Sequence, residues 1–204
     1  MEQKTDRRIR KTKRLLRQGF AKLMQTKSIK EITVKELVEE VDINRSTFYL
    51  HYTDIYDMLE KVEDELMEEI ITLIPSASEQ IENMNQSYPF IFNLFTMLDQ
   101  NRDICTSLVG PHGDHSFDTR IENYIFSNSE KYHSRFFPAA SEDEMKYVHA
   151  YCITGCVGIV KKWLTEPNED SPEHMAKIIY NMLLSSLESF MPQNKISRKP
   201  KPLT

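Results

Sequence analysis

The stretch TVKELVEEVDINRSTFYLHYTD, residues 33–54, decides the fold of this chain. Thr33 and Glu36 have the spacing of a capping box, in which each side chain satisfies a backbone N–H group at the start of a helix. Apolar residues then recur at helical spacing until Asp42 breaks the pattern. Asn44 is a favourable N-cap for a second, shorter helix. The stretch therefore predicts two short helices joined by a tight turn.

The second of these helices carries polar side chains that suit DNA. Phe48 and Tyr52 have helical spacing and are expected to pack inward with Ile43. The side chains left to project outward or sideways are Arg45, Ser46, Thr47, Tyr49 and His51. A short exposed helix with these groups and few acids is suited to base edges and phosphates. The alternative is a solvated polar face that binds nothing.

The segment from Arg7 to Leu59 resembles the DNA-binding domain of TetR-type transcriptional regulators. The resemblance is carried by residues 33–37 and 41–52 and by the acidic cap Asp54. The polar cap, the small polar pair, the aromatic pair, the histidine and the final aromatic residue occur in the family's order. The resemblance implies an all-α protein with an N-terminal three-helix helix-turn-helix domain and a C-terminal helical bundle for ligand binding and dimerisation.

The resemblance also implies roles for individual residues. Arg45, Ser46 and Thr47 would lie nearest the base edges, and Arg45 has the donors to bond guanine O6 and N7. Tyr49 and His51 would contact phosphates. The predicted DNA-binding residues are Thr33, Lys35, Asn44, Arg45, Ser46, Thr47, Tyr49 and His51.

Thr33 and Lys35 would hold a further phosphate at the start of the preceding helix, aided by the helix dipole. Two residues depart from the family pattern. Leu50 stands where the family often has a second tyrosine, and Ile55 stands where a lysine often contacts the DNA backbone. Both departures are expected to weaken the affinity for the phosphate backbone.

The charge of the chain is unevenly distributed. Residues 1–52 carry 13 Lys or Arg against seven acids, whereas the rest carries 13 against 24, and the formal net charge is −5. A basic head on an acidic body is typical of a head that meets a polyanion. The first helix contributes Arg7, Arg8, Lys11 and Arg14, which are expected to compensate for the two departures.

Helical periodicity dominates the remainder of the chain, so the sequence predicts an all-α protein. The predicted division is a helix-turn-helix domain over 1–53, a helical ligand-binding and dimerisation domain over 54–191, and a disordered basic tail over 192–204. The body resembles the ligand-sensing domain of a TetR subtype frequent in Gram-positive bacteria. No apolar run is long enough to cross a membrane, and no secretory signal is apparent, so a cytoplasmic protein without membrane contact is expected.

The aromatic and other apolar residues of the predicted C-terminal domain, residues 54–191, have two interpretations. Most of them are expected to form the core, and the alternative is an apolar ligand pocket with a few polar groups. The candidate ligand-binding residues are Phe90, Phe95, Leu98, Phe117, Arg120 and Tyr124. The effector expected from the resemblance is a small molecule of unknown identity.

Gly155 and Gly158 interrupt a predicted helix, where each costs about 1 kcal/mol relative to alanine. Intramolecular packing is one explanation, and a close approach between subunits is the other. In the family, the last two helices form a four-helix bundle with the same pair of a partner. The candidate dimer-interface residues are Val148, Cys152, Gly155, Ile159, Leu183, Leu187 and Phe190.

The sequence predicts no metal site and no cofactor. The three cysteines do not form a disulfide framework, and buried thiols are favoured over a redox switch or a metal pair for Cys152 and Cys156. His112 and His115 flank a loop that offers partial zinc ligands without a fourth ligand nearby. An ordinary loop between helices is therefore expected.

The sequence lacks the phosphate-binding and hydrolase motifs, so an enzyme is not expected. We predict a DNA-binding transcriptional regulator, a ligand-responsive repressor that binds a pseudo-palindromic operator in double-stranded DNA as a homodimer. Two alternatives stay open. One is a regulator-like adaptor or co-activator that acts through protein partners, and the other is an α-helical enzyme with a buried catalytic pair.

Overall fold

The structure is a computed structural model that describes residues 2–73, 87–113, 115–129, 140–167 and 169–190. The described residues contain helices and no strand, which confirms the all-α prediction. The α-helices are α1 (Glu2–Met24), α2 (Val34–Glu40), α3 (Arg45–Tyr49), α4 (Ile55–Leu73), α5 (Ser87–Gln100), α6 (Arg102–Val109), α7 (His115–Ser129), α8 (Glu142–Thr165) and α9 (Pro172–Leu187). Single 3-10 turns cover Ile29–Glu31 and Glu188–Phe190.

The chain forms two compact units. The first contains residues 1–68 and 101–117, and the second contains residues 69–100 and 118–204. The sequence also predicts a helix over about 75–84 and the end of another helix near Pro138. Both segments, and the tail over 192–204, lie outside the described residues. The boundary at residue 53 stays a prediction about where the DNA-binding part ends, and the first compact unit continues past it into α4 and α6.

The first unit is built on α1 and the short helices that follow it. Its core is fully buried and includes Leu16, Phe20, Leu37, Phe48, Met58 and Leu108. α1 and α2 approach closely at Gly19, where an added Cβ would lie 2.3 Å from Cγ1 of Val41. The glycine therefore sets the distance between these two helices.

The helical spacing of apolar residues predicts one inward stripe along α1, made of Ile9, Leu16, Phe20, Leu23 and Met24. The last four are buried, as predicted, but Ile9 is 41% exposed, so the buried stripe is shorter than the apolar pattern. None of the side chains described between residues 7 and 15 is buried. Amphipathic spacing shows which face of a helix is apolar, and it does not show how far the packing partner extends along that face.

Local capping explains where most of these helices begin. Thr33 Oγ1 accepts from the backbone N–H of Glu36 at 3.2 Å, as predicted. The return bond is absent, because the Glu36 carboxylate pairs with Lys27 instead. Ser141 and Glu144 have the same spacing, which predicts a capping box, and the complete box is present at the start of α8.

The second unit is held by aromatic contacts among α5, α8 and α9. Phe95 packs edge-on against Trp163 with ring centroids 5.1 Å apart, and Tyr88 packs edge-on against Tyr180 at 5.5 Å. The indole N–H of Trp163 donates to the carbonyl oxygen of Asp170 at 3.0 Å. Within the described residues, no helix combines the length and apolar character that crossing a membrane requires.

Candidate nucleic-acid interface

The turn between α2 and α3 is tight because of two features. Asp42 adopts a left-handed conformation with φ of 51°, which aspartate tolerates better than most residues. The N–H of Ile43 donates to the carbonyl oxygen of Val38 at 3.0 Å. Asn44 then caps α3, since its Oδ1 accepts from the backbone N–H and from Oγ of Ser46, both at 2.9 Å. The predicted turn and cap are therefore both present.

α3 presents a buried aromatic face and an exposed polar face. Phe48 and Tyr52 are buried, as predicted, and Ile43 is half-buried. The polar side chains that the sequence assigned to DNA are exposed or half-buried on this short helix: Arg45, Ser46, Thr47 and Tyr49. The helix can therefore offer hydrogen-bond donors to a partner without disturbing the core.

Arg45 and Tyr49 contact one another along the exposed face of α3. Nε and Nη2 of Arg45 donate to the phenol oxygen of Tyr49 at 3.3 and 3.0 Å. The guanidinium carbon also lies 5.5 Å from the centre of the Tyr49 ring. This contact was not predicted, although a spacing of four residues on a helix is the sequence signal that permits it.

His51 is half-buried, and burial lowers its pKa below the ordinary value of 6.5, with a smaller effect from Lys13. The imidazole is therefore neutral at pH 7 and has one N–H to donate. A neutral donor still suits a phosphate oxygen. Lys61 donates to the carbonyl oxygen of His51 at 3.2 Å and so joins α4 to the end of the α3 segment.

The start of α2 offers a further pair of predicted phosphate contacts. Thr33 is exposed, and its hydroxyl oxygen is used in the cap. Lys35 is highly exposed and lies 3.9 Å from a carboxylate oxygen of Glu39. An exposed pair at this distance is weak, with a median value of about 0–1 kcal/mol, so the ammonium group remains available to a polyanion.

A basic face on α1 adds to this charge. Arg7, Arg10, Lys11 and Arg14 recur at helical spacing, are all exposed, and line one open cleft. Arg7, Lys11 and Arg14 belong to the set of cations predicted from the sequence, and Arg10 joins them in the cleft. The fourth predicted cation, Arg8, is also exposed but does not line it. Four cations therefore lie on one face of α1.

The two departures from the family pattern have different structural outcomes. Leu50 is 80% exposed at the end of α3, whereas Ile55 is buried at the start of α4. A buried isoleucine cannot take the place of a lysine that contacts the DNA backbone. The exposed leucine offers an apolar surface beside the polar face, which suits a thymine methyl group or a protein partner.

The candidate ligand-binding residues differ in burial. Phe95, Leu98 and Phe117 are buried, Phe90 and Tyr124 are half-buried, and Arg120 is exposed. Phe117 belongs to the first compact unit and the other five belong to the second. Phe95 is packed against Trp163 and so serves the core. The assignment of the set to a ligand stays a prediction.

Four of the seven candidate dimer-interface residues line a groove between α8 and α9. The groove measures about 70 Å³ and is lined in part by Cys152, Gly155, Ile159 and Leu183. A Cβ added to Gly155 would meet nothing within 4 Å. The other three candidates do not line it: Val148 and Phe190 are half-buried, and Leu187 is buried within its own chain.

The cysteines and the histidine loop offer little chemistry. Cys105 is buried, and Cys152 and Cys156 are half-buried. Burial raises the pKa of the Cys156 thiol to about 12, so this thiol stays protonated at neutral pH and is a poor nucleophile and metal ligand. His112 is half-buried, whereas Asp114 and the side chain of His115 lie outside the described residues. No group of three metal-ligating side chains occurs in the part of the chain that is described.

Comparisons with known proteins identify the fold and the family. The family model for a TetR-type transcriptional regulator C-terminal region matches residues 85–185. The dihydroxyacetone kinase operon activator DhaS superposes with a TM-score of 0.56 at 19% identity, covering 89% of this chain and 98% of that one. A TetR transcriptional regulator from Streptococcus agalactiae gives 0.56 at 20% identity, covering 90% and 99%.

A TetR-family transcriptional regulator from Haemophilus influenzae gives a TM-score of 0.55 at 12% identity, covering 94% of this chain and 100% of that one. Identities this low show a shared fold, and they carry no residue roles. None of the curated protein sequences matches this chain. The helix-turn-helix arrangement of α2 and α3, the matched C-terminal region and the shared fold lead to one conclusion. The chain belongs to the TetR family of transcriptional regulators.

Proposed function

We propose that this regulator binds a pseudo-palindromic operator in double-stranded DNA as a homodimer, with α3 of each subunit in a major groove. The observation that carries the proposal is Arg45, which projects from a capped, exposed helix whose other face is anchored by Phe48. Two such helices read half-sites roughly 34–36 Å apart, or a multiple of that distance. The roles of Thr33, Lys35, Asn44, Ser46, Thr47, Tyr49 and His51 belong to the same proposal.

The electrostatics of the first unit support the DNA-binding step. The basic face of α1 and the exposed Lys35 supply charge that neutralises phosphates, and Arg45 supplies donors that distinguish bases. Phosphate contacts fix the position of the protein on the duplex, whereas base contacts select the sequence. Affinity for all DNA and preference for one sequence therefore depend on different residues.

We assign dimerisation to the outer face of α8 and α9. The groove lined in part by Cys152, Gly155, Ile159 and Leu183 is open, and Tyr151, which also lines it, is 66% exposed. The bare helix surface at Gly155 lets a partner helix approach closely. Leu187 is left out of this assignment because it is already buried in its own chain.

We further infer that a small-molecule effector acts on the second unit and that the protein represses without catalysing a reaction. The family match over 85–185 includes the α5 and α7 candidates for the effector site. An effector changes DNA binding only if its affinity differs between two conformations of the dimer. A cytoplasmic location accords with this role.

The experiment that tests the proposal is a mobility shift with the DNA that flanks the protein's own coding region. Purified full-length protein is titrated at two salt concentrations in the presence of random competitor duplex. The proposal predicts a specific shift that weakens steeply with salt. A folded dimer that gives no shift at the lower salt concentration would contradict it.

A second candidate function is that of an adaptor which acts through protein partners. The observation that favours it is the combination of exposed Leu50 and buried Ile55, which removes two backbone contacts and adds an apolar surface. One protein of similar fold is named as an operon activator. Repression, rather than activation, therefore does not follow from the fold and is part of the proposal. Specific operator binding by the purified protein alone would exclude the adaptor.

A further inference from the structure

The guanidinium of Arg45 is held by a neutral partner. Both of its contacts to Tyr49, from Nε and Nη2, go to the same phenol oxygen. Arg45 forms no ion pair with a carboxylate among the residues that the structure describes. The side chain is therefore restrained while its full positive charge remains available to a ligand.

Other cations of the first unit are arranged differently. Lys13 pairs with Glu65 at 2.9 Å, and Lys22 and Lys27 pair with carboxylates of α2. A carboxylate partner competes with a phosphate or a base for the same cation. Within the described ranges Arg45 has no such competitor, which distinguishes it from these lysines.

The tyrosine that holds Arg45 is itself fixed by the core. The Tyr49 ring packs edge-on against Phe48, with centroids 5.4 Å apart and planes at 86°. Phe48 has no exposed surface. A buried ring thus orients an exposed ring, and the exposed ring orients the guanidinium one turn earlier on α3.

The N–H groups of Arg45 that do not contact Tyr49 are suited to hydrogen bonds with a guanine base. A guanidinium has five N–H donors in a planar fork. Tyr49 occupies Nε and one hydrogen of Nη2, which leaves the outer edge formed by Nη1 and the second hydrogen of Nη2. That edge can donate two parallel hydrogen bonds to guanine O6 and N7.

We propose that Tyr49 is a positioning residue for specificity, which holds Arg45 in the orientation that reads a guanine. The proposal rests on the DNA-binding function proposed above and adds to it the base that each half-site must contain. An unrestrained arginine side chain would lose rotamer entropy on binding DNA. The contact to Tyr49 already restricts the rotamers of Arg45, so less entropy is lost on binding. The Tyr49 hydroxyl keeps its own hydrogen, so it can donate to a phosphate at the same time.

The test uses selection from duplexes that contain a randomised central segment, followed by sequencing. Four full-length proteins are compared: the wild type, Arg45→Ala, Tyr49→Phe and the double variant. Tyr147→Phe, on α8 and 80% exposed, is the matched control for losing a phenol hydroxyl. Circular dichroism confirms that each variant is folded, which is expected because Arg45 and Tyr49 are exposed.

The wild type is expected to select a guanine at one position of each half-site. In Arg45→Ala the preference for guanine over the other bases at this position should fall by about 5-fold to 150-fold, which is the discrimination that a bidentate contact provides. Tyr49→Phe should reduce the preference at that same position by about 2-fold to 10-fold, as expected for one hydrogen bond. The double variant should show no greater loss of preference than Arg45→Ala alone.

Two results would overturn the inference while leaving the proposed function intact. One is a Tyr49→Phe protein that keeps the full guanine preference. The other is a Tyr49→Phe protein that binds all duplexes more weakly by one factor, because this is the result expected for a phosphate contact alone. A wild type that selects no sequence would overturn the proposed function itself, and the inference with it.

Discussion

Ser107 in α6 donates a hydrogen bond to the carbonyl oxygen of Ala21 in α1 at 2.8 Å. Ala21 lies in the last turn of α1, where carbonyl groups have no partner within the helix. The hydroxyl is also 2.8 Å from the carbonyl oxygen of Asp103, and its single proton serves one acceptor at a time. A residue 86 positions away thus caps the first helix of the first unit.

We expect Ser107→Ala to lower the free energy of unfolding by about 1–3 kcal/mol, because it leaves a buried carbonyl without its donor. Urea unfolding followed by circular dichroism measures the change. Ser127→Ala is the control, since Ser127 is exposed and its hydroxyl donates to backbone carbonyl oxygens of its own helix. Equal stabilities of the two variants would show that the contact between α6 and α1 contributes nothing.

Replacement of Gly155 and Gly158 by alanine should separate chain stability from dimer stability. Each alanine should stabilise α8 by about 1 kcal/mol, because an added Cβ meets nothing within 4 Å in the single chain. The same methyl groups should weaken a dimer whose helices approach closely at this surface. Thermal unfolding and sedimentation equilibrium measure the two effects.

The control for this pair is Thr154→Ala, which also favours the helix but lies outside the groove lining. The control should leave the dimer dissociation constant unchanged. Glycine variants that dimerise as tightly as the wild type would place the interface elsewhere.

Lys161 and Asp118 form the most buried ion pair described in the second unit. The side chain of Asp118 is 11% exposed and that of Lys161 is 32% exposed. Lys161→Met should therefore destabilise the protein, because it removes the cation paired with a largely buried carboxylate. The loss should be smaller than the roughly 3–5 kcal/mol of a fully buried pair, because Lys161 is partly exposed.

Lys162→Met provides the matched control on the neighbouring residue. Its partner Glu166 is 57% exposed, so its loss should cost about 0–1 kcal/mol. Chemical denaturation of both variants gives the comparison. If Lys161→Met were no more destabilised than Lys162→Met, burial of the pair would be irrelevant to stability.

His51 should make the protein less stable in mild acid. Burial lowers its pKa in the folded state below 6.5, so the unfolded chain binds the proton more tightly. The contribution of neutral His51 is complete above about pH 6.5 and is lost progressively as the pH falls through that value towards the folded pKa.

The measurement is the difference in unfolding free energy between the wild type and His51→Gln at pH 7.5 and pH 5.5. The comparison with His51→Gln cancels the carboxylates that also titrate in acid. The wild type should lose more stability than the variant on acidification. A parallel loss in both proteins would mean that His51 has an ordinary pKa.

The helix-turn-helix segment could be predicted because its signals are local. Asn44 caps α3, Thr33 caps α2 and Phe48 enters the core, and each depends on neighbours only a few residues away. Such short-range chemistry is visible in a sequence. The cap at Ser141 was predictable for the same reason.

Features that depend on distant packing were not predictable. The exposure of Ile9 depends on how far the core extends along α1, and the inclusion of α6 in the first unit depends on contacts such as Ser107 with Ala21. The contact between Arg45 and Tyr49 depends on side-chain rotamers, and a spacing of four residues permits that contact without requiring it.

The measurement that tests the central claim most directly compares wild type and Arg45→Ala on two duplexes by fluorescence anisotropy. One duplex carries the sequence that the wild type selects, and the other is random. At physiological salt the wild type should prefer the selected duplex by at least about 1,000-fold. Lys11→Ala serves as the phosphate control and should reduce the slope of log affinity against log salt by about 1.

Arg45→Ala should lose affinity mainly for the selected duplex, so that its affinity for this duplex approaches its affinity for random DNA. The reason is that base contacts carry sequence preference and phosphate contacts do not. That result would assign sequence reading to α3. Equal losses on the selected and random duplexes would contradict the account, since they would show that Arg45 contributes charge alone.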